Sequence, residues 1–216
     1  MFLTWQLLDS AFPTGTFAHS WGLEAAWQQG AVGDGAALVR FLEGAAQATA
    51  FGMLPLMNEA YDHPERWAAL DELANAVLTN EVANRASRQQ GRTLLATTAR
   101  VWPSPAVEAM KRQGAGTWAH VGPVAGLVFR HLGVPAGTAR RMLLFGTVRG
   151  VLAAAVRLGI VGGYEGQRLQ FEAGEMLERL ARRAEGLMSG DLAQTAPVPD
   201  LLQMGHDRLY SRLFQS

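Results

Sequence analysis

The chain has no cysteine. Disulfides and thiolate-held metals are thereby excluded, and the composition fits a reducing compartment. It also lacks an excess of charge of either sign. Its 19 Lys and Arg stand against 19 Asp and Glu, so no field draws it to nucleic acid or to an anionic membrane. A long uninterrupted apolar run is missing as well. Residues 142–158 come nearest, but Arg149 and Arg157 break the run. It also falls short of the roughly 20 residues a membrane span needs, which predicts a buried soluble helix. Strand signals are absent: stretches such as 32–39 are broken by glycines, and no Asn-Gly or Asp-Gly turn joins two apolar runs. The opening Met1-Phe-Leu-Thr-Trp-Gln has neither the basic lead nor the cleavage site of a signal peptide, so the cytoplasm is the expected location.

What is present is helical periodicity. With 49 % hydrophobic and 18 % charged residues in 216, one folded domain with a substantial core is expected. Leu38, Phe41, Leu42, Ala45 and Ala48 fall at helical spacing, with a bend predicted near Gly52 and Pro55. Asp62 has the capping-box spacing to Glu65, with Pro64 in the first turn, and reads as a helix restart. Residues 80–101 form a helix with a polar face (Arg85, Arg88, Gln89, Arg92), and Ser104-Pro105 opens another. Residues 117–132 and 135–158 read as core helices, in which Gly126, Gly146 and Gly150 predict close helix-to-helix approach. A last long helix is expected over 168–188, with Glu175–Arg179 and Glu178–Arg182 pairs outside. The reading is an all-α, single-domain bundle of about ten helices over 1–190, followed by a flexible linker and partner-docking tail over 191–216.

Residues 9–25 concentrate chemistry. Pro13 removes a donor and Gly15 permits positive φ, so Phe12 begins a fixed turn between helices. Ser20 reads as the N-cap of the next helix, Glu24 as an anion favoured by its dipole, and Gly30 as its stop. At the other end, Leu201, Met204, Leu209, Tyr210, Leu213 and Phe214 are too many large apolar groups to leave in water; they must dock on this chain or another.

Recognisable catalytic or cofactor chemistry is missing. The histidines at 19, 63, 120, 131 and 206 include no i,i+4 pair, which argues against a metal site. The glycine-bearing loop 159–168 has no preceding strand and no Gly-x-Gly-x-x-Gly or Lys-Ser/Thr, so it is an interhelical turn and not a phosphate cradle. His19-Ser20 has neither a nucleophile elbow nor an identifiable orienting acid. No cofactor is expected.

The run Phe12-Pro-Thr-Gly-Thr-Phe-Ala-His-Ser20 with Gly22-Leu-Glu24 closely resembles the N-terminal signature of the UreF urease accessory proteins. Tyr210-Ser-Arg-Leu-Phe-Gln-Ser216 with His206 is similar to that family's C-terminus, and 86–95, 120–126 with Leu132-Gly133, and Gly166-Gln167 resemble further segments. The resemblance implies a non-enzymatic, all-helical, dimeric accessory protein. It implies binding to UreD (also called UreH), recruitment of the GTPase UreG, and engagement of the urease apoprotein so that nickel is inserted. The partner-binding residues it points to are Phe12, Pro13, Gly15, Phe17, His19, Ser20, His206, Tyr210, Ser211, Arg212, Leu213 and Phe214. Catalytic and metal-ligating residues are expected to be none. The competing class is an all-helical enzyme or small-molecule-binding protein using the 9–25 turn as its pocket.

Overall fold

The computed structural model describes residues 1–13 and 18–216, and among these every regular element is helical. Helix α1 (Phe2–Leu8) precedes the motif, and α2 (Leu23–Gln28) follows it. Helix α3 (Gly35–Ala48) is capped by Asp34, whose carboxylate accepts from the Ala37 amide at 2.7 Å. Where the sequence predicts a bend near Gly52 and Pro55, a π-helical stretch, Thr49–Met53, leads directly into α4 (Leu54–Asp62). The restart beyond Asp62 is real, but Asp62 closes α4. His63 is the boundary residue, and a 3₁₀ turn (Pro64–Arg66) leads into α5 (Trp67–Val77).

Helix α6 (Glu81–Val101) begins as its sequence dictates, with the Asn80 side chain accepting from the amides of Val82 and Ala83. Ser104 caps α7 (Pro105–Gly114) in the same way through the Val107 amide. Helix α8 (Val121–His131) starts later than expected. Ala119 lies at φ 59 and the amides of Ala119 and His120 both donate to the fully buried Asp71 carboxylate. A local carboxylate thus takes the donors that a longer helix would have used.

Helix α8 is the centre of the molecule: residues 121–129 are all buried, and it packs on α4, α5, α6 and α9 (Ala136–Arg157). Gly126 explains the α4–α8 crossing, since a Cβ there would stand 2.4 Å from the Met57 carbonyl oxygen and 2.8 Å from the Tyr61 nitrogen. Gly150 likewise admits the Trp21 indole nitrogen, at 2.8 Å from such a Cβ. Gly146 does not follow the expectation, because nothing lies within 4 Å of its Cβ position.

The expected last long helix is two: α10 (Gly163–Glu172) and α11 (Gly174–Arg183), which meet at Ala173. Glu175 and Arg179 pair at 2.7 Å, whereas Glu178 is taken chiefly by Arg141 at 2.7 Å and meets Arg182 only at 3.7 Å. Beyond these, α12 (Pro197–Met204) lies against α2, α3 and α6, and a 3₁₀ turn (His206–Arg208) follows it, tied to α6 through the Arg85–Asp207 pair. No helix among the described residues is long and apolar enough to cross a membrane.

Candidate functional site

The chain's motif-rich segments meet. The Gln215 amide donates to the Ala18 carbonyl at 2.8 Å, and the Ser20 amide donates to the Ser216 main-chain oxygen at 2.6 Å. The Ser20 hydroxyl donates to that same oxygen at 2.7 Å, and His19 Nδ1 lies 2.7 Å from the Ser216 hydroxyl. Ser20 is therefore not the N-cap of α2. That boundary belongs to Gly22 at φ 84, while the Ser20 hydroxyl accepts from the Glu24 amide at 3.3 Å. The correction has a physical cause: a hydroxyl that must serve the distant Ser216 oxygen is fixed there, and only glycine enters the left-handed region without strain.

Glu24 stands in the first turn of α2, as expected, and has a further role there. It is 1 % exposed, and its two carboxylate oxygens accept from successive amides, Leu213 at 2.7 Å and Phe214 at 3.1 Å. The Phe214 ring is buried beneath the Arg157 guanidinium, 4.0 Å from the ring centroid. His206 is fully buried, and its Nε2 lies 3.2 Å from the Phe214 carbonyl oxygen. Gln28 Nε2 donates to the Ser211 carbonyl at 2.9 Å, and Gln29 Nε2 to that of Leu202 at 3.3 Å.

Of the residues singled out from sequence, His19, Ser20, His206, Ser211, Leu213 and Phe214 are joined in this one arrangement. Arg212 stands at its edge, 3.2 Å from Asp207, whose carboxylate also receives Arg85 Nη2 at 2.9 and 3.0 Å. Tyr210 is fully exposed. Phe12 and Pro13 make different contacts: the Phe12 ring lies against Trp102 at 5.7 Å, and the Pro13 carbonyl accepts from the Thr97 hydroxyl at 2.8 Å. Gly15 and Phe17 lie outside the described residues. Glu24 as the holder of the tail, with Arg85, Asp207 and Arg157 around it, was not legible, because each finds its partner far away along the chain.

A cavity of about 330 Å³ adjoins the junction, bordered by His19, His120, Asn80, Ser87, Gln203 and Ser216 among mostly apolar groups. Burial holds both imidazoles neutral at ordinary pH. His19 is lowered to about 4 by desolvation, helped by His206 and Arg85. His120 is lowered to about 4 by desolvation, partly opposed by Asp71 and reinforced by Arg88 and Arg92. His120 is satisfied by Ser87 at 3.0 Å and Asn75 at 3.4 Å. Among the described residues no cluster of three His, Cys, Asp or Glu side chains could hold a metal ion.

The structure defines the chain as an all-α domain in which a C-terminal segment is seated on an N-terminal motif. The UreF family model matches residues 32–174. Urease accessory protein F of Arabidopsis thaliana is 38 % identical over 98 % of this chain and 91 % of its own length. The protein of the same name from Oryza sativa subsp. indica is 36 % identical over 97 % of this chain and 83 % of its own. Urease accessory protein UreF of Arthrobacter sp. (strain FB24) is 34 % identical over 98 % and 95 %. The chain belongs to the UreF family. These relatives align beyond the 32–174 core, across nearly the whole chain.

Proposed function

We propose that the chain is a urease-maturation scaffold, acting in the cytoplasm as a homodimer. It binds UreD and with it recruits the GTPase UreG to the urease apoprotein, coupling the GTPase cycle to nickel insertion. Family membership supports the urease assignment. The observation that carries the scaffold reading is the junction itself, where residues 18–28 and 197–216 pack together and leave large outer groups unused by the fold. Trp27, Met204, Leu201, Leu213 and Tyr210 are 39, 53, 67, 70 and 104 % exposed. Large apolar and aromatic groups standing out from a fixed backbone are the groups that anchor protein interfaces.

The test is co-expression with UreD from the same source, followed by size-exclusion chromatography with light scattering. The full chain is compared with a version ending at Arg208, which keeps α12 and the 3₁₀ turn. Co-elution that needs residues 209–216 supports the reading; failure of the full chain to meet soluble UreD removes its centre. The 330 Å³ cavity favours a second reading, a small-molecule site on this chain alone. That reading requires saturable ligand binding by the isolated protein.

A further inference from the structure

Burying a carboxylate is costly unless its oxygens are satisfied. Among the described residues, the hydrogen bonds the Glu24 carboxylate accepts come from the tail, from the Leu213 and Phe214 amides, with the Arg157 guanidinium acting on it electrostatically. Two successive main-chain amides turned onto one anion fix the path of the peptide at that point. The remaining tail contacts lie on either side: the His206 and Arg157 contacts to Phe214, and the bonds of Ala18 and Ser20 to Gln215 and Ser216. Arg212 and Tyr210 immediately precede this clamp, with exposed side chains.

We propose, on the scaffold reading above, that Glu24 is the positioning residue of the partner-facing tail: its carboxylate, by holding the amides of Leu213 and Phe214, sets where Tyr210 and Arg212 stand for a protein partner. Glu24 is not itself a contact residue for that partner. Without the carboxylate the tail backbone loses its central anchor, although α2 and the core behind it keep their packing.

Hydrogen–deuterium exchange of the isolated full chain reads the anchor directly, and co-expression with UreD and UreG reads its consequence. Glu24→Gln keeps the size but exchanges one acceptor oxygen for a donor, so one of the two amides loses its acceptor. Leu213→Pro removes the tail-side donor at a residue whose side chain is exposed, and so keeps the test alive should Glu24→Gln fail to fold. In both, the peptide covering 209–216 should exchange about tenfold faster, the scale of one lost charge-assisted bond, while α8 is unchanged and UreG capture falls. The double variant should be little worse than the worse single one, because both remove one interaction. Unchanged tail exchange, or fully additive effects, overturns the inference. Faster tail exchange with undiminished capture of both partners also overturns it, and leaves the scaffold reading standing. A wild-type chain that captures neither partner sinks the scaffold reading and the inference together.

Discussion

Arg212 shares a single carboxylate with Arg85. Asp207 gives Arg85 both oxygens, at 2.9 and 3.0 Å, and gives Arg212 only Oδ1 at 3.2 Å. Exposed pairs of this kind contribute about 0 to 1 kcal/mol, so the fold does not depend on Arg212. On the scaffold reading proposed above, its planar fork serves a partner's carboxylate or phosphate, a geometry that an ammonium does not reproduce. Arg212→Lys should therefore change thermal stability by less than about 1 kcal/mol and leave UreD co-elution intact. UreG retained on the immobilised UreD complex should fall about tenfold, the scale of one bidentate charge-assisted contact. Wild-type yields of both complexes would take the fork out of the mechanism.

At the scale of the element, glycines that look alike in sequence have opposite consequences. Gly126 and Gly146 both sit inside apolar helices, yet only the first lies at a crossing. Gly126→Ala puts a Cβ within 2.4 Å of the Met57 carbonyl and 2.8 Å of the Tyr61 nitrogen, both main-chain atoms that cannot step aside. Overpacking of this kind costs about 1 to 3 kcal/mol. Gly146→Ala meets nothing within 4 Å and removes the mid-helix glycine penalty, so it should stabilise by about 0.5 to 1 kcal/mol. Urea unfolding of the two variants checks both signs, and equal signs would contradict the crossing geometry. The same contrast marks what was legible. Ser104 caps its helix as read, because a cap is settled within a few residues. Ser20 and the boundary at Ala119 were misread, and the hold of Glu24 on the tail went unseen, because the partners, Ser216, Asp71 and the 213–214 amides, lie far along the chain. The break at Ala173 did leave a local signal, Gly174, but a single glycine inside a helical pattern does not by itself decide between a break and a continuous helix.

For the whole molecule, the buried imidazoles make stability depend on pH in one direction. His19 and His120 titrate near 4 in the folded chain, mainly through desolvation, and near their ordinary 6.5 once unfolded. Above pH 6.5 both states hold them neutral, and no pH dependence arises from them. Between 6.5 and 4 the unfolded chain takes up their protons and the folded chain does not, so stability falls as pH falls. Below 4 the loss from these two groups levels off, at a scale of about 3 kcal/mol for each. The two sites differ in what they hold. His120 lies among Ser87, Asn75 and the start of α8, deep in the bundle, whereas His19 is bonded to Ser216 at the end of the docked tail. Acidification should therefore release the tail before the bundle unfolds, since the segment held by fewer buried contacts opens at lower free energy. Thermal unfolding followed from pH 7.5 to 4.5 should show a falling midpoint, flattened in His120→Gln. Protection of residues 209–216, relative to the intrinsic exchange rate at each pH, should fall already near pH 5, and His19→Gln should remove that early loss while leaving the part of the midpoint slope due to His120. A midpoint independent of pH across this window would mean that the imidazoles are not held neutral. Simultaneous loss of tail and bundle would mean that the tail is as firmly built in as the core.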